Sequence, residues 1–345
     1  MKRKSAIGGG AALALLLFTV VFSLSMGSAR LPLADVWGIL LHSLPGGDSL
    51  VAPHWESSTE QIVLKIRLPR IALAILIGAM LSVAGAGFQG VLRNPLADPY
   101  TLGVASGSAV GAAFLILMGY SYSLFAQWTI PVVAFATGLI SLALVLRLAR
   151  DQGKIRMETL LLSGVVLQAF FGSLVSFMVS RSDKVINEIV FWMLGSLSLR
   201  GWSYSAVLLP YLAAGLVIMI GYSRTMNLFA LGERQAAHLG VNVERTKVTI
   251  LVVCTLMTAA AVSVAGVIGF VGMVVPHLIR LLTGPDYRLL VPLSAVGGAI
   301  YMLLADTAAR TLLSPTEIPI GVVTAFIGAP FFAYLLRRNR SRARG

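Results

Sequence analysis

The chain has 345 residues, of which 57% are hydrophobic and only 12% are charged, and its net charge is +13. A soluble domain carries roughly 25% charged residues, and so few polar side chains do not cover an apolar core of this size. These values exclude a water-soluble enzyme, a nucleic-acid-binding protein and a disordered chain. Because one transmembrane helix needs roughly 20 apolar residues, the apolar content is enough for about ten of them.

Apolar runs between charged residues and Pro/Gly breaks predict ten transmembrane helices, and therefore an all-α, polytopic membrane protein. The predicted spans are residues 6–27, 70–92, 100–119, 128–148, 158–180, 203–222, 248–267, 270–283, 290–310 and 320–336. The first run is longer than the roughly 7–15 residues of a signal-peptide core, which favours an uncleaved first span. The eighth run is short for a full crossing, so we expect a tilted or partly re-entrant helix there.

The basic residues predict the orientation of these spans. With a cytoplasmic N-terminus, 19 of the 27 lysines and arginines fall in inside loops and 8 in outside loops, a bias typical of membrane proteins. We therefore expect a single transmembrane domain over residues 1–345 with both termini in the cytoplasm. Residues 223–247 would form the longest internal loop and residues 337–345 a basic cytoplasmic tail. This distribution accounts for the net charge without a nucleic-acid partner.

Small residues recur inside the predicted spans. Gly103, Gly107 and Gly111 follow one another at intervals of four in the third span, and Gly85 and Gly87 lie in the second. In lipid, such a ridge lets helix backbones approach closely. The spacing favours helix packing, and a pore-lining role for the same face is the alternative.

Catalytic and metal chemistry has little support in the sequence. No GxxxxGK[ST] motif is present, the four histidines form no HExxH or i,i+4 pair, and Cys254 is the only cysteine. We therefore expect no catalytic residue, metal site or bound cofactor in this chain. Asp306 and Arg310 lie one helical turn apart and are expected to pair. Other acids at membrane depth are few, which counts against a carrier driven by an ion gradient.

Three loop features suggest partners. Arg67 and Arg70 lie at the outer end of the second span, against the positive-inside trend. Because the guanidinium group can bind a carboxylate through two parallel hydrogen bonds, these arginines indicate an acidic partner surface. Residues 93–99 contain two prolines and form a rigid break at the inner end of the same span. Residues 231–240 combine glycines with the apolar spacing of a short surface helix. This helix is either a connector or, as we prefer, a docking helix for a cytoplasmic partner.

These features occur together with further motifs. They are residues 266–280 (GVIGFVGMVVPHLIR), 304–306 (LAD), 319–324 (PIGVVT) and 328–330 (GAP). In their order and spacing over residues 60–336, they resemble the FecCD-type permease family of ABC importers, which have a BtuC-like fold and take up iron-siderophores, haem and cobalamin.

The resemblance implies a protein of a bacterial or archaeal cytoplasmic membrane. It also implies a homodimer, or a heterodimer of paralogous permeases, with the translocation path between the subunits. Two cytoplasmic ATPase subunits would drive transport by alternating access, using ATP and Mg that this chain does not bind. An extracytoplasmic binding protein would deliver the substrate. Family frequency favours a ferric siderophore, with cobalamin or haem as the alternatives. An ion-gradient-driven secondary transporter and a structural scaffold remain the competing functions.

The resemblance also implies roles for individual residues. The family's three arginines that meet glutamates of the binding protein correspond to Arg67, Arg70 and Arg310. The expected cytoplasmic gate consists of Asn94, Leu96, Met157, Glu158 and Thr159. Its segment 157–159 departs from the small hydroxyl residues of the family's cobalamin permease, and Glu158 also suits the first turn of a helix. The expected coupling helix, which would dock in a groove of the ATPase, contains Gly232, Glu233, Arg234, Ala236, Ala237, Leu239 and Gly240.

Overall fold

The computed structural model describes residues 2–27, 31–46, 51–120, 125–151, 154–182 and 184–342. In this part of the chain the α-helices are α1 (Lys2–Ser25), α2 (Leu33–His42), α3 (Ser57–Gln61), α4 (Leu68–Val91), α5 (Val104–Leu117), α6 (Thr129–Ala149), α7 (Met157–Ser180), α8 (Ile186–Leu194), α9 (Trp202–Phe229), α10 (Glu233–His238), α11 (Val243–Ala265), α12 (Val271–Thr283), α13 (Tyr287–Thr311) and α14 (Ile320–Arg342). Two short strands, β1 (Arg150–Asp151) and β2 (Lys154–Ile155), pair antiparallel between α6 and α7. The predicted all-α class is confirmed.

Seven helical segments of the described residues are long and apolar enough to cross a membrane. They are Gly8–Ser25, Ser57–Val91, Ala126–Ala149, Met157–Ser180, Trp202–Phe229, Val243–Ala265 and Tyr287–Thr311. Each coincides with a predicted span, and the three remaining predicted spans coincide with the shorter apolar helices α5, α12 and α14. The 13 residues of α12 extend for about 20 Å at 1.5 Å per residue, which agrees with the short eighth span.

Helix α4 forms the centre of the bundle. Nearly all of its residues are buried, and it packs against α9, α11, α12 and α13. A helix that is apolar all round is suited to this position. By contrast, α6, α7 and α9 expose large apolar side chains, for example Ile140, Phe177 and Val217. Such faces are typical of helices that contact lipid or another subunit.

Glycines allow the closest helix contacts. In α5, Gly107 and Gly111 face side chains of α6, and a Cβ on Gly107 would lie 2.7 Å from that of Ser141. The packing role predicted for this ridge is therefore confirmed. Helices α4 and α13 approach more closely still, because a Cβ on either Gly78 or Gly298 would overlap the backbone carbonyl oxygen of the other.

Two segments predicted to lie outside the membrane are partly helical. Within residues 223–247, predicted as an internal loop, α9 continues to Phe229 and α11 begins at Val243. The predicted span ends where the apolar run ends, at residue 222. The helix itself can extend past the hydrocarbon layer, because its backbone hydrogen bonds do not depend on apolar side chains. For the same reason α14 continues to Arg342, into the predicted tail, and residues 343–345 lie outside the described part.

The helix that contains α4 also begins before the predicted span. Helix α3, a π-helical segment (Ile62–Arg67) and α4 form one helical run over Ser57–Val91. Pro69 lies in the first turn of α4 and lacks the N–H that would continue the α-helical hydrogen bonds. The π-helical turn directly before it absorbs this interruption and holds Arg67 on the buried side. Such segments are frequent at functional sites.

Candidate functional site

Arg70, Asp306 and Arg310 form a buried ion-pair cluster near the start of α4. The Asp306 side chain is 0% exposed and accepts hydrogen bonds from Arg70 Nε, at 2.9 Å to Oδ1 and 3.2 Å to Oδ2. Arg70 Nη2 lies 2.9 Å from Oδ1, and Arg310 Nε lies 3.4 Å from Oδ2. The predicted pairing of Asp306 with Arg310 is confirmed, but Arg70 is the closer partner.

Arg67 and Arg310 attach the end of α1 to this cluster. Arg67 Nη1 donates to the Leu24 carbonyl at 2.7 Å. Arg310 Nη2 donates to the carbonyl and the hydroxyl of Ser23 at 2.5 and 2.7 Å. The last carbonyls of a helix lack partners within the helix and favour cations. The two arginines therefore satisfy groups of α1 that the helix itself leaves unbonded.

Glu317, in the loop between α13 and α14, extends the cluster to the surface. Its Oε1 accepts a hydrogen bond from Arg70 Nη1 at 2.8 Å, and Ser198 Oγ donates to its other carboxylate oxygen. The side chain is 34% exposed and lines a cleft of 220 Å³ beside Arg70. Although burial alone would raise the pKa of Glu317, the hydrogen bonds from Arg70 and Ser198 hold this pKa below its ordinary value.

The three arginines expected to dock a binding protein thus lie together, buried and bonded within the chain. Their docking role stays a prediction. Sequence reasoning missed Glu317 and the bond between Arg70 and Asp306. The spacing of four residues reveals the pair of Asp306 with Arg310, whereas no local signal connects Asp306 with a residue 236 positions away.

The first predicted gate segment is a tight turn after the far end of α4. Arg93 adopts a φ of +48°, and Asn94 Oδ1 accepts the Leu96 N–H at 2.9 Å, as in an Asx turn. The Ala97 N–H donates to the Asn94 carbonyl at 3.1 Å. Leu96 is exposed, so this turn presents an apolar side chain at the surface.

The second predicted gate segment lies beside the predicted coupling helix. Both line one open cavity of 1080 Å³. From the first turn of α7 its lining includes Met157, Glu158 and Thr159, and from the start of α10 it includes Gly232, Glu233 and Arg234. The structure therefore brings these two groups together. Asn94 and Leu96 lie outside the lining, although the preceding residue, Arg93, belongs to it.

The short helix predicted in this loop is present as α10, between two glycines with positive φ, and its coupling role stays a prediction. Gly232 has a φ of +109° and Gly240 a φ of +86°, values that glycine adopts without strain. Ala236 is buried, whereas Leu239 is 61% exposed. One face of α10 is thus fixed to the protein. The other residues of the predicted set with exposed side chains are Arg234 and Ala237.

A buried lysine joins α10, the β1–β2 hairpin and α11. Lys247 is 2% exposed, and its Nζ lies 2.8 Å from Glu244 Oε1 and 3.1 Å from Glu233 Oε2. The same Nζ donates to the Ile155 carbonyl at 3.2 Å, and Glu244 Oε2 accepts the Ile155 N–H at 3.0 Å. From the sequence, Lys247 counts only as one of the inside charges, and no sequence signal indicates these contacts.

The described residues offer little for metal ligation or thiol chemistry. Within the described ranges, no three His, Cys, Asp or Glu side chains are placed to hold a metal ion. Cys254 is buried, with its Sγ 3.7 Å from Met219 Sδ. The arginine cluster at the start of α4 and the Lys247 cluster beside α10 instead consist of ion pairs and hydrogen bonds.

Comparison with known proteins identifies the family. The chain matches the FecCD transport family over residues 15–338. It is 45% identical over 286 residues to the cobalamin import system permease protein BtuC of Halobacterium salinarum (83% of this chain, 76% of the relative). It is 40% identical over 301 residues to the hemin transport system permease protein HmuU of Yersinia pestis (84% and 89%). A metal-chelate type ABC transporter solved in an inward-facing conformation superposes with a TM-score of 0.81 at 32% identity, covering 95% of this chain and 98% of that one. The BtuC-like fold is thereby confirmed, and the chain belongs to the FecCD transport family, the multi-pass membrane permeases of ABC importers.

Proposed function

We propose that this chain is the transmembrane subunit of an ABC importer that carries a metal chelate across the cytoplasmic membrane by alternating access. Two ATPase subunits bind its cytoplasmic end, and a binding protein delivers the chelate to the outer end. The observation that carries the proposal is the distribution of charged clusters. The arginine cluster lies at the start of α4, and the α10 and gate cavity lies beyond its end.

At the cytoplasmic end, α10 has the properties of a docking helix. Its buried Ala236 holds it on the protein, while Leu231 and Leu239 on either side of it are exposed. Apolar residues on the free side of a short helix suit a groove on a partner. Movement of the ATPase would then displace α10, which lines the same cavity as the first turn of α7. The alternation of basic loops supports the orientation with both termini inside.

At the outer end, Glu317 marks the side from which a partner reaches the arginines. Its carboxylate is the partly exposed member of the cluster, beside a cleft that also exposes part of Arg70. A glutamate of the binding protein would approach through this cleft and compete with Glu317 for Arg70. Bidentate guanidinium–carboxylate contacts give such docking its geometric specificity.

The substrate proposed is a metal chelate. Relatives named for cobalamin and for hemin match this chain at 45% and 40% identity, so similarity alone does not single out one chelate. The ferric siderophore favoured by family frequency, cobalamin and haem are therefore compared directly in the test. The assembly proposed is a homodimer, with a heterodimer of paralogous permeases as the alternative.

Uptake into proteoliposomes tests the proposal. The permease is reconstituted with its ATPase, binding protein is added outside, and uptake of a ferric siderophore, cobalamin and haem is measured with and without internal ATP. ATP-dependent uptake of one chelate is the expected result. Uptake driven by a proton gradient in liposomes that contain only the permease would overturn it in favour of a secondary transporter.

A further inference from the structure

We propose that Lys247 is a positioning residue that transmits displacement of α10 to the gate at the start of α7. This inference rests on the proposed function, because it assumes that an ATPase moves α10. It concerns a residue that the predicted gate and coupling helix do not include.

The three N–H donors of the Lys247 ammonium group are matched by three acceptors. A lysine ammonium has three donors and no acceptor, and here they meet Glu233, Glu244 and the Ile155 carbonyl at 3.1, 2.8 and 3.2 Å. Since Lys247 is almost entirely buried, losing any of these acceptors would leave part of the charge uncompensated. The position of the ammonium therefore follows the positions of its acceptors.

The acceptors belong to three different elements. Glu233 is the first residue of α10, Glu244 lies in the first turn of α11, and Ile155 is the last residue of β2. Movement of α10 would change the distance between Glu233 and Lys247, and the other two contacts would have to adjust. One charged group thus connects a docking element with a gate element.

The connection to the hairpin is double. The carbonyl of Ile155 accepts from Lys247, and its N–H donates to the second oxygen of Glu244. Both backbone groups of one residue are held by the same ion pair. Only Arg156 separates Ile155 from Met157, where α7 and the predicted gate begin. A displacement of the ion pair would therefore move Ile155, two residues before the start of the predicted gate.

Lys247→Met tests the link. Methionine has a similar length and fills the buried space, and the two carboxylates it leaves behind are a third exposed, so no buried charge is stranded. In the assembled transporter we expect ATP hydrolysis to persist while uptake per ATP falls about tenfold, within the range of a single allosteric coupling. The matched control is Arg245→Met, which removes an exposed positive charge two residues earlier on α11 and should leave uptake per ATP unchanged.

Two site-specific reporters separate this role from a purely structural one. The single native cysteine is buried, so an environment-sensitive fluorophore can be placed on Lys154→Cys in the hairpin or on His238→Cys in α10, both exposed positions. In the complete transporter, ATP should change both signals. In the Lys247→Met background, the α10 signal should persist and the hairpin signal should be lost.

The outcomes distinguish this inference from the proposed function. If both reporters respond in Lys247→Met as they do in the unmodified background, the inference is wrong while the importer function stands. If neither reporter responds to ATP even with Lys247 present, the proposed function fails and the inference fails with it. Glu233→Gln provides a second route to the same result should Lys247→Met fold poorly, because it alters a partly exposed side chain and weakens the α10 contact alone.

Discussion

Replacement of Asp306 by asparagine is expected to destabilise the permease strongly, because one buried carboxylate serves two arginines. Asparagine has nearly the same shape, so Asp306→Asn removes the charge without opening a cavity. Its amide replaces one of the two acceptor oxygens by an NH2 donor, and because Arg70 bonds both oxygens, this donor faces a guanidinium donor in either orientation. Two buried guanidinium groups would then remain, with the partly exposed Glu317 as the nearest acid.

The magnitude follows from burial. Breaking a buried ion pair by removing one partner costs about 3–5 kcal/mol, and we expect the upper part of this range because Arg70 bonds both oxygens of Asp306. The matched control is Asp151→Asn. Asp151 is 55% exposed and lies 3.7 Å from Arg156, and exposed pairs of this kind contribute about 0–1 kcal/mol.

The assay is denaturant unfolding of the purified permease in detergent, followed by the fluorescence of its five tryptophans. The free energy of unfolding should fall at least about 2 kcal/mol further for Asp306→Asn than for Asp151→Asn. Adding Arg310→Met to Asp306→Asn should recover part of the loss, since one uncompensated charge is removed. Equal free energies of unfolding for the two single variants would refute the reasoning, because a fully desolvated acid with two partners cannot be as dispensable as an exposed one.

Three further changes have outcomes that the structure specifies. Because the pKa of Glu317 is lowered, its ion pair stabilises the fold fully above the ordinary glutamate pKa of about 4.3, and this stabilisation is lost as the pH falls through the lowered value. Glu317→Gln should remove this part of the acid dependence of the free energy of unfolding. An unchanged pH profile in the variant would contradict the assignment. Gly298→Ala forces a Cβ onto the carbonyl of Gly78 and should lower the free energy of unfolding by about 1–3 kcal/mol. By contrast, Gly221→Ala, in which the new Cβ meets nothing within 4 Å inside α9, should raise it by about 0.5–1 kcal/mol in the same assay. Asp286 accepts the backbone N–H of the second residue of α13, so Asp286→Ala should lower the unfolding free energy by about 0.5–2 kcal/mol, and no loss would argue against this cap.

The number and placement of the spans were predictable because hydropathy is a property of each segment by itself. The helix α10 was also predictable, since its two bounding glycines mark the turns that enclose it. The end of α9 was not, because intrahelical hydrogen bonds continue where the apolar run has stopped. Lipid thickness limits the apolar length of a helix but not its total length.

The candidate site was predictable only where its contacts are local. Asp306 and Arg310 are separated by one turn of the same helix, so their pairing follows from helix geometry. Arg70 reaches Asp306 only because α4 and α13 are packed together, and such packing is a result of the whole fold. Lys247 shows the same limit, since counting charges by loop does not distinguish a buried ion pair from a solvated one.

The close contact between α4 and α13 has a mechanical consequence. The two helices are fastened at two points along α4, by the ion pair of Arg70 with Asp306 and by the backbone contact of Gly78 with Gly298. These points are eight residues apart on α4, or about 12 Å, and two separate fastenings resist both sliding and rotation. We therefore expect α4 and α13 to move together as one unit during transport.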